Sequence, residues 1–174
     1  MSRNLEQVMR AIEQRTHQFL DDLPIIIANE ALLFAKENFD QQSWQGSSVE
    51  PWAPRKDKEN ERSLLVNTGN LRRSIDKENA KIEPKANGVT ITIGSDVPYA
   101  RAHNFGFSGV VEQNVGEHRR KSKKGKEYFV KAHRRNMKMN IPKRQFIGDF
   151  NDSPIFADKI KEIIKLEAKK ITNI

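Results

Sequence analysis

The chain has 174 residues, carries a formal net charge of +8 and contains no cysteine, so disulfides, thiolate metal sites and thiol nucleophiles are excluded. Its length suits one domain with a buried core, and its mean hydropathy of -0.75 indicates extensive polar surface. The N-terminus lacks the apolar stretch of a signal peptide, and every apolar run falls short of the ~20 residues that cross a bilayer. We therefore expect a cytosolic protein.

The first 39 residues predict two helices. Apolar residues near helical spacing indicate the first over 5–20, and Asp21 and Asp22 are suited to cap a second over 24–39, with Pro24 in its first turn. The apolar residues that predict the core face of the second helix are Ile25, Ala28, Leu32, Ala35 and Phe39. Three further apolar residues, Ile26, Ile27 and Phe34, predict burial on another side, and we assign self-association to them.

Turn-forming and charged residues fill 40–63 and predict a loop. Trp52 lies in this loop between Pro51 and Pro54. Since no partner aromatic accompanies it, we interpret Trp52 as a side chain that covers the core edge, in preference to a platform for ligand stacking.

Two short helices and a hairpin are predicted between 64 and 106. Thr68 and Gly69 supply a turn and cap before a helix over 70–75, which presents Leu71 and Ile75. Strict alternation over 89–93 predicts a half-buried strand, and the Asn-Gly pair at 87–88 makes 80–85 its antiparallel partner. A second short helix begins near Pro98 and ends at Gly106.

The positive charge is concentrated in the basic segment, residues 119–144, which holds 12 lysines and arginines and one acid, Glu127. Its local charge is +11, so the rest of the chain carries -3. Strand-like residues on either side of Lys124 and Gly125 predict a hairpin, with the His-Arg-Arg runs at 118–120 and 133–135 roughly facing each other. The residues predicted to contact an anionic partner, phosphate or acidic protein, are Arg119, Arg120, Lys121, Lys123, Lys124, Lys126, Arg134 and Arg135.

Two alternatives stay open for the basic segment. Its charge can be a solvated surface without a partner, although like charges on both arms repel and favour an anion between them. His118 and His133 could face each other as metal ligands, but two ligands among many cations are too few for a site.

The C-terminal residues predict an amphipathic helix. Ser153 is suited to cap it, and Pro154 fits the first turn. The residues that mark its apolar side are Ile155, Phe156, Ile160, Ile163, Ile164, Ala168 and Ile171.

Residue patterns typical of catalysis are missing from the sequence. The four histidines lack the i, i+4 pairing of a zinc-hydrolase helix, the nine glycines form no phosphate-binding loop, and there is no Gly-x-Ser-x-Gly elbow. We expect a non-enzymatic protein that uses no cofactor and no metal.

Four ordered segments, 64–75, 93–100, 103–106 and 141–148, follow the tryptophan of the proline-rich loop. Together they resemble the virion morphogenesis (tail completion) family of Mu-like and P2-like bacteriophages, with its Thr-Gly-x-Leu-x-x-Ser-Ile, Tyr-Ala-x-x-His-x-x-Gly and Ile-Pro-x-Arg-x-Phe-x-Gly motifs. Lys143 and Gln145 depart from the small residue and proline that are common in the last motif. The motif residues, which we expect to be structural, are Trp52, Thr68, Gly69, Leu71, Ser74, Ile75, Gly94, Tyr99, His103, Gly106, Pro142, Arg144, Phe146 and Gly148.

The resemblance implies an α+β domain with a small antiparallel sheet flanked by helices. Together with the pattern of the basic segment, we expect a single domain over 1–174 with N- and C-terminal helices and a projecting basic β-hairpin. The expected divisions are N-terminal helices at 1–39, a loop at 40–63, a motif core at 64–106, a basic hairpin insert at 107–144 and a C-terminal helix at 145–174.

The same resemblance implies a structural protein that completes the phage tail and helps it join the head. It would form a homo-oligomeric ring in the virion neck after assembly in the host cytoplasm, touching other neck, head or tail proteins and packaged DNA non-specifically, without a membrane. The alternative is a basic nucleic-acid-binding module that uses 119–144 as a ribbon, but it leaves the four ordered segments unexplained.

Overall fold

The computed structural model describes residues 4–57 and 59–172, so the first three residues of the predicted N-terminal region and the last two of the predicted C-terminal helix lie outside it. In chain order the elements are α1 (Leu5–Gln41), β1 (Ser43–Gln45), β2 (Val49–Pro51), α2 (Asn70–Arg73), a 3₁₀ turn (Lys77–Asn79), β3 (Lys81–Lys85), β4 (Gly88–Thr92), α3 (Ala100–Phe105), β5 (Phe107–Val115), β6 (His118–Lys121), β7 (Glu127–Val130), β8 (His133–Ile141) and α4 (Pro154–Thr172).

The N-terminal region forms one helix of 37 residues, so the prediction of two helices is wrong. Asn4 caps α1 by accepting the N–H of Glu6. Pro24 lies inside the helix and has no backbone N–H, so the carbonyl of Leu20 lacks the hydrogen bond that residue 24 would normally donate. Because Leu20 is exposed, water can donate to this carbonyl instead. Because α1 contacts α4 on both sides of Pro24, tertiary packing keeps the helix continuous.

The C-terminal half of α1 contributes to two buried clusters. In the first, Leu32, Ala35 and Phe39 pack with Trp52, Leu71, Ile75, Ala100 and Phe146. Ala28 is buried as predicted, whereas Ile25 is 53% exposed and does not belong to the core face. This cluster does not extend as far along α1 as Ile25, because the short elements that cover the helix pack near its C-terminal end.

The second cluster joins α1 to α4. It contains Ala31, Phe34, Trp44, Phe156 and Ile160, and the rings of Phe34 and Phe156 stack at 4.7 Å. Lys159 on α4 reinforces the contact with ion pairs to Glu30 at 2.5 Å and Glu37 at 3.4 Å on α1. The extra apolar face that we assigned to another subunit is therefore covered by the chain's own C-terminal helix.

This packing corrects the residues assigned to self-association. Phe34 is only 5% exposed and Ile27 packs against the second cluster, so neither presents a free apolar surface. Ile26 is half-buried beside Phe19 of α1 and Ile171 of α4. Ser153 caps α4 as predicted, since its Oγ accepts the Phe156 N–H at 3.0 Å.

Strands form four antiparallel pairs in the part of the chain that the structure describes. β1 pairs with β2 inside the region 40–63, which we predicted as a loop. The prediction missed these strands because each has only three residues, too few to show an alternating pattern. β3 pairs with β4 as predicted, with Ile82 opposite Ile91. The turn residues are Ala86 and Asn87, one position earlier than the expected Asn-Gly.

The basic region forms two consecutive ladders. β5 pairs with β8 from Phe107 opposite Ile141 to Val115 opposite His133, and β6 pairs with β7 from His118 opposite Val130 to Lys121 opposite Glu127. The turn at Lys124 and Gly125 agrees with the prediction. The two His-Arg-Arg runs belong to different ladders and do not face each other, because Gly116–Glu117 and Lys131–Ala132 separate the paired regions.

The α+β class with small antiparallel sheets is confirmed. Projection of the basic hairpin from the rest of the protein stays a prediction. Between residues 4 and 172, apart from 58, no helix combines the length and apolar character needed to cross a membrane.

Candidate functional site

Segments that are distant in sequence meet at one cleft of about 580 Å³. We call this the motif cleft, and the residues that line it are Arg55, Leu64, Leu65, Val66, Asn67, Thr68, Gly69, Asn70, Leu71, Tyr99, His103 and Arg144. Six of the family-motif residues are among them, and they come from all four ordered segments: Thr68, Gly69, Leu71, Tyr99, His103 and Arg144. The motifs were predicted to be structural, and the fold also gives them a shared concave surface.

One wall of the motif cleft is the loop that leads into α2. Gly69 has φ 77°, a left-handed conformation in which a side chain would be strained, and a Cβ there would lie 2.9 Å from the Arg73 guanidinium. Leu65 also has positive φ, 58°, although it is not glycine. A leucine in this region costs of order 1 kcal/mol, so the surrounding contacts must hold the loop in place.

Arg144 lines the motif cleft and is only 9% exposed. Its Nε donates to the carbonyl of Ala53 at 2.9 Å and its Nη2 to that of Pro54 at 3.3 Å. Burial lowers the pKa of this guanidinium, and the nearby positive charge of Arg55 lowers it further. Two cations thus share a partly desolvated space.

His103 on α3 lies beside Arg144. The Arg144 N–H donates to the His103 carbonyl at 2.8 Å, and the ring of Tyr99 meets the imidazole edge-on at 5.9 Å. Burial lowers the pKa of His103, and the charge of Arg144 adds to the effect, which favours the neutral imidazole near pH 7. Its Nδ1 is buried and has no hydrogen-bond partner among residues 4–57 and 59–172.

Two asparagines that the sequence did not point out hold the segment after Arg144. Asn104 accepts the backbone N–H groups of Phe146 and Ile147 at 2.9 and 3.0 Å, and its Nδ2 donates to the Ile147 carbonyl at 3.0 Å. Asn38, fully buried on α1, donates to the Phe146 carbonyl at 3.3 Å. The sequence signal that could have identified them is a polar residue at a core-facing position of a helix. A buried polar side chain at such a position must be hydrogen-bonded.

Trp52 is buried, with 6% exposure, and its indole N–H donates to the Gln145 carbonyl at 2.8 Å. The indole therefore packs in the core, which agrees with our interpretation of Trp52.

Gly106 has φ 77°, and a Cβ there would lie 3.1 Å from the Lys143 backbone nitrogen. Glycine at this position therefore lets the backbone of the last motif come close to the end of α3.

The other motif residues support this arrangement outside the motif cleft. Ser74 bonds Ser95 side chain to side chain at 2.6 Å, next to Gly94. Ile75 and Phe146 are buried in the first cluster, and Pro142 follows β8. A side chain at Gly148 would collide with Gln145 and Asp152, at 2.7 and 2.8 Å.

The predicted anionic contacts lie elsewhere, on the two ladders. All eight are exposed: Arg119, Arg120, Lys121, Lys123, Lys124, Lys126, Arg134 and Arg135. Lys121 pairs with Glu127 at 3.3 Å and Arg134 with Glu112 at 3.3 Å, while Arg135 donates to the Gln113 side chain at 2.8 and 3.0 Å. These exposed pairs leave most of the positive charge at the turn end of the hairpin uncompensated.

His118 and His133 do not form the facing pair that a shared metal ion would need. Each Nδ1 lies 2.9 Å from the carbonyl oxygen two residues earlier, Gly116 for His118 and Lys131 for His133. No cluster of three or more His, Asp or Glu side chains with metal-binding geometry occurs in the described ranges.

Comparison with known proteins gives one family. The model of the phage virion morphogenesis family matches residues 3–165, which is most of the chain and includes the motif cleft and both ladders. No curated protein and no solved structure shows a significant match.

Proposed function

The chain belongs to the phage virion morphogenesis family, and from this membership we propose that it completes the phage tail and helps head and tail join stably, as a non-enzymatic component of the neck. A role in phage assembly follows from the family itself. The specific step and its place in the particle are the proposal.

The observation that carries the proposal is the concentration of exposed cations at the turn end of the hairpin. Residues 119–126 include six lysines and arginines, all exposed, and no residue of β6 or β7 is buried. Exposed like charges at this density are poorly compensated within the chain, so the surface suits an anionic partner. In a neck, packaged DNA or an acidic face of an adjoining component would supply that charge.

The ring requires self-association, and we assign the surface for it to the start of α1. Leu5 and Met9 are 74% and 59% exposed, and they precede the part of α1 that α4 reaches, since Arg15 bonds the carbonyl of Lys170 near the end of α4. Their spacing of four places both on one side of the helix. This apolar side would pack against another copy.

A nucleic-acid-binding module is the second candidate, and exposed aromatic residues favour it. Tyr128 and Phe129 are 44% and 58% exposed, and they pair across β6 and β7 with Arg120 and Arg119. Arginines interleaved with aromatic rings can bind a single strand by charge and base stacking.

The proposal can be tested by replacing Lys121, Lys123, Lys124 and Lys126 with Ser in the phage. We expect normal amounts of capsid and tail proteins, with filled heads and separate tails accumulating in electron micrographs of lysates. A matched control replaces four exposed lysines away from the hairpin, Lys56, Lys77, Lys81 and Lys85, and removes the same charge.

Normal yields of joined, infectious particles from the hairpin variant would show that its tip is solvated surface and would overturn the charge-based assignment. Altered late gene expression before particles form would favour the nucleic-acid module. Light scattering at several concentrations tests the ring, and a strict monomer that also fails to associate with added neck components would contradict it.

A further inference from the structure

We propose that the motif cleft binds an acidic side chain of a peptide segment from another protein, whose carboxylate occupies the space between Arg55, Arg144 and His103. This contact is separate from the hairpin surface. That the segment belongs to another component of the virion rests on the proposed function, whereas the chemistry of the motif cleft does not.

The first argument is the uncompensated charge. Arg144 is 9% exposed, yet it makes no ion pair within the described residues, and no acidic residue lines the motif cleft. Buried arginines are normally paired. Even the half-exposed Arg72, on the adjacent helix α2, has a carboxylate partner, since its Nη2 contacts the two oxygens of Asp40 at 2.9 and 3.0 Å. The missing counter-charge at Arg144 would be supplied by a carboxylate from outside.

The second argument is the unused hydrogen-bonding capacity beside that charge. Arg144 uses Nε and Nη2 on backbone carbonyls, and its Nη1 makes no hydrogen bond inside the described part of the chain. The buried Nδ1 of His103 is also unbonded, although a buried polar atom without a partner costs about 1–3 kcal/mol. A carboxylate oxygen can accept from the Arg144 Nη1 and, once a rotation of the imidazole exposes it, from the His103 Nδ1 in the tautomer that carries its proton there.

The third argument selects a peptide over nucleic acid. Apolar residues Leu64, Leu65, Val66 and Leu71 share the lining with the cations, so half of the surroundings suit aliphatic side chains and not a phosphate-sugar backbone. The volume of about 580 Å³ accommodates a few residues of an extended segment. The expected ligand is therefore a glutamate or aspartate flanked by aliphatic residues.

The test is a titration of the purified full-length protein by NMR, with the peptide Ac-Ala-Leu-Glu-Leu-Ala-NH₂ and its glutamine counterpart Ac-Ala-Leu-Gln-Leu-Ala-NH₂. The signals to follow are the imidazole C–H groups of His103 and the Nε–H of Arg144. We expect saturable shifts with a Kd of about 1 mM or below for the glutamate peptide and at least tenfold weaker binding of the glutamine peptide. Binding should also raise the pKa of His103, because a nearby carboxylate favours the imidazolium.

Two variants connect binding to the cations. Arg55→Gln and Arg144→Gln should each weaken the glutamate peptide at least tenfold, and Lys143→Gln, which removes one exposed neighbouring charge, should leave its affinity unchanged. Because the Arg144 side chain also bonds Ala53 and Pro54, and the Arg55 side chain bonds the carbonyls of Arg62 and Ser63, amide spectra must first show that both variants are folded. If one of them is not, the other variant and the paired peptides still decide the question.

Equal affinity for the two peptides, or no shift at His103 and Arg144 up to about 10 mM, would overturn the proposal. So would displacement of the same signals by a duplex or single-stranded oligonucleotide at lower concentration, which would assign the motif cleft to phosphate. Since the titration uses the isolated protein, its result is independent of the particle phenotypes that test the role in assembly.

Discussion

Asn104 and Phe146 are joined by a hydrogen bond of 2.9 Å, from the backbone N–H of Phe146 to the side-chain oxygen of Asn104. The same amide also bonds the N–H and the carbonyl of Ile147. The Asn104 side chain therefore supplies the hydrogen bonds that a neighbouring strand would otherwise give to the backbone of Phe146 and Ile147. It thereby positions the residues that follow Arg144.

Replacing Asn104 with Ala should lower the free energy of unfolding by about 2–4 kcal/mol, because it removes three hydrogen bonds and leaves buried N–H groups unpaired. Urea unfolding followed by circular dichroism measures the change. Asn140→Ala, at an exposed position of β8, should cost less than about 0.5 kcal/mol. Similar losses in both variants would contradict the role of Asn104.

Replacing Pro24 with Ala should stabilise the protein by about 1–2 kcal/mol, because alanine restores the N–H that can bond the Leu20 carbonyl inside α1. The gain is reduced by the greater freedom of the unfolded chain. Pro154→Ala is the control, since a proline in a first helical turn forfeits no hydrogen bond and its loss should have little effect. A destabilised Pro24→Ala variant would show that the proline ring is needed for packing.

The stability of the protein should decrease as the pH falls below about 6.5, and His103 should account for part of the decrease. Burial and Arg144 lower the folded-state pKa of His103 below its ordinary value of 6.5, so the unfolded chain takes up the proton first as the pH falls. The contribution of the neutral His103 to the free energy of unfolding is fully present above pH 6.5. It is lost as the pH falls from 6.5 through the folded-state pKa. In His103→Gln, unfolding midpoints between pH 7.5 and 5 should vary less than in the unmodified protein.

The exposed His17 provides the control for this experiment. His17→Gln should follow the pH dependence of the unmodified protein. If His103→Gln follows it equally closely, the pH dependence does not originate from burial of His103.

Hydrogen exchange should be faster in the ladder of β6 and β7 than in the ladder of β5 and β8. The longer ladder has half-buried apolar pairs such as Val111 with Met137 and Gly109 with Met139, whereas the shorter one has only four pairs, and all of its side chains except Val130 are exposed. Mass spectrometry of peptic fragments measures the difference. Equally slow exchange in both ladders of the free protein would contradict the mobility that we expect for the hairpin tip.

The sequence by itself determined the class of elements where a pattern was local. The alternation at 89–93, the cap at Ser153 and the stop at Gly106 each depend on neighbouring residues, and the structure has a strand, a helix start and a helix end at these places. The ordered motifs gave the family for the same reason, since each is a short run that can be recognised without knowing what it contacts.

Only the tertiary structure decided which apolar faces meet and which polar groups converge. Pro24 favoured a helix start locally, but the contact of α1 with α4 on both sides of it keeps one helix, and the same contact buries Phe34 inside the chain. The motif cleft is likewise invisible in the sequence, because Arg55, His103 and Arg144 are separated by dozens of residues. Long-range packing brings them together, and no local propensity encodes the distance between their side chains.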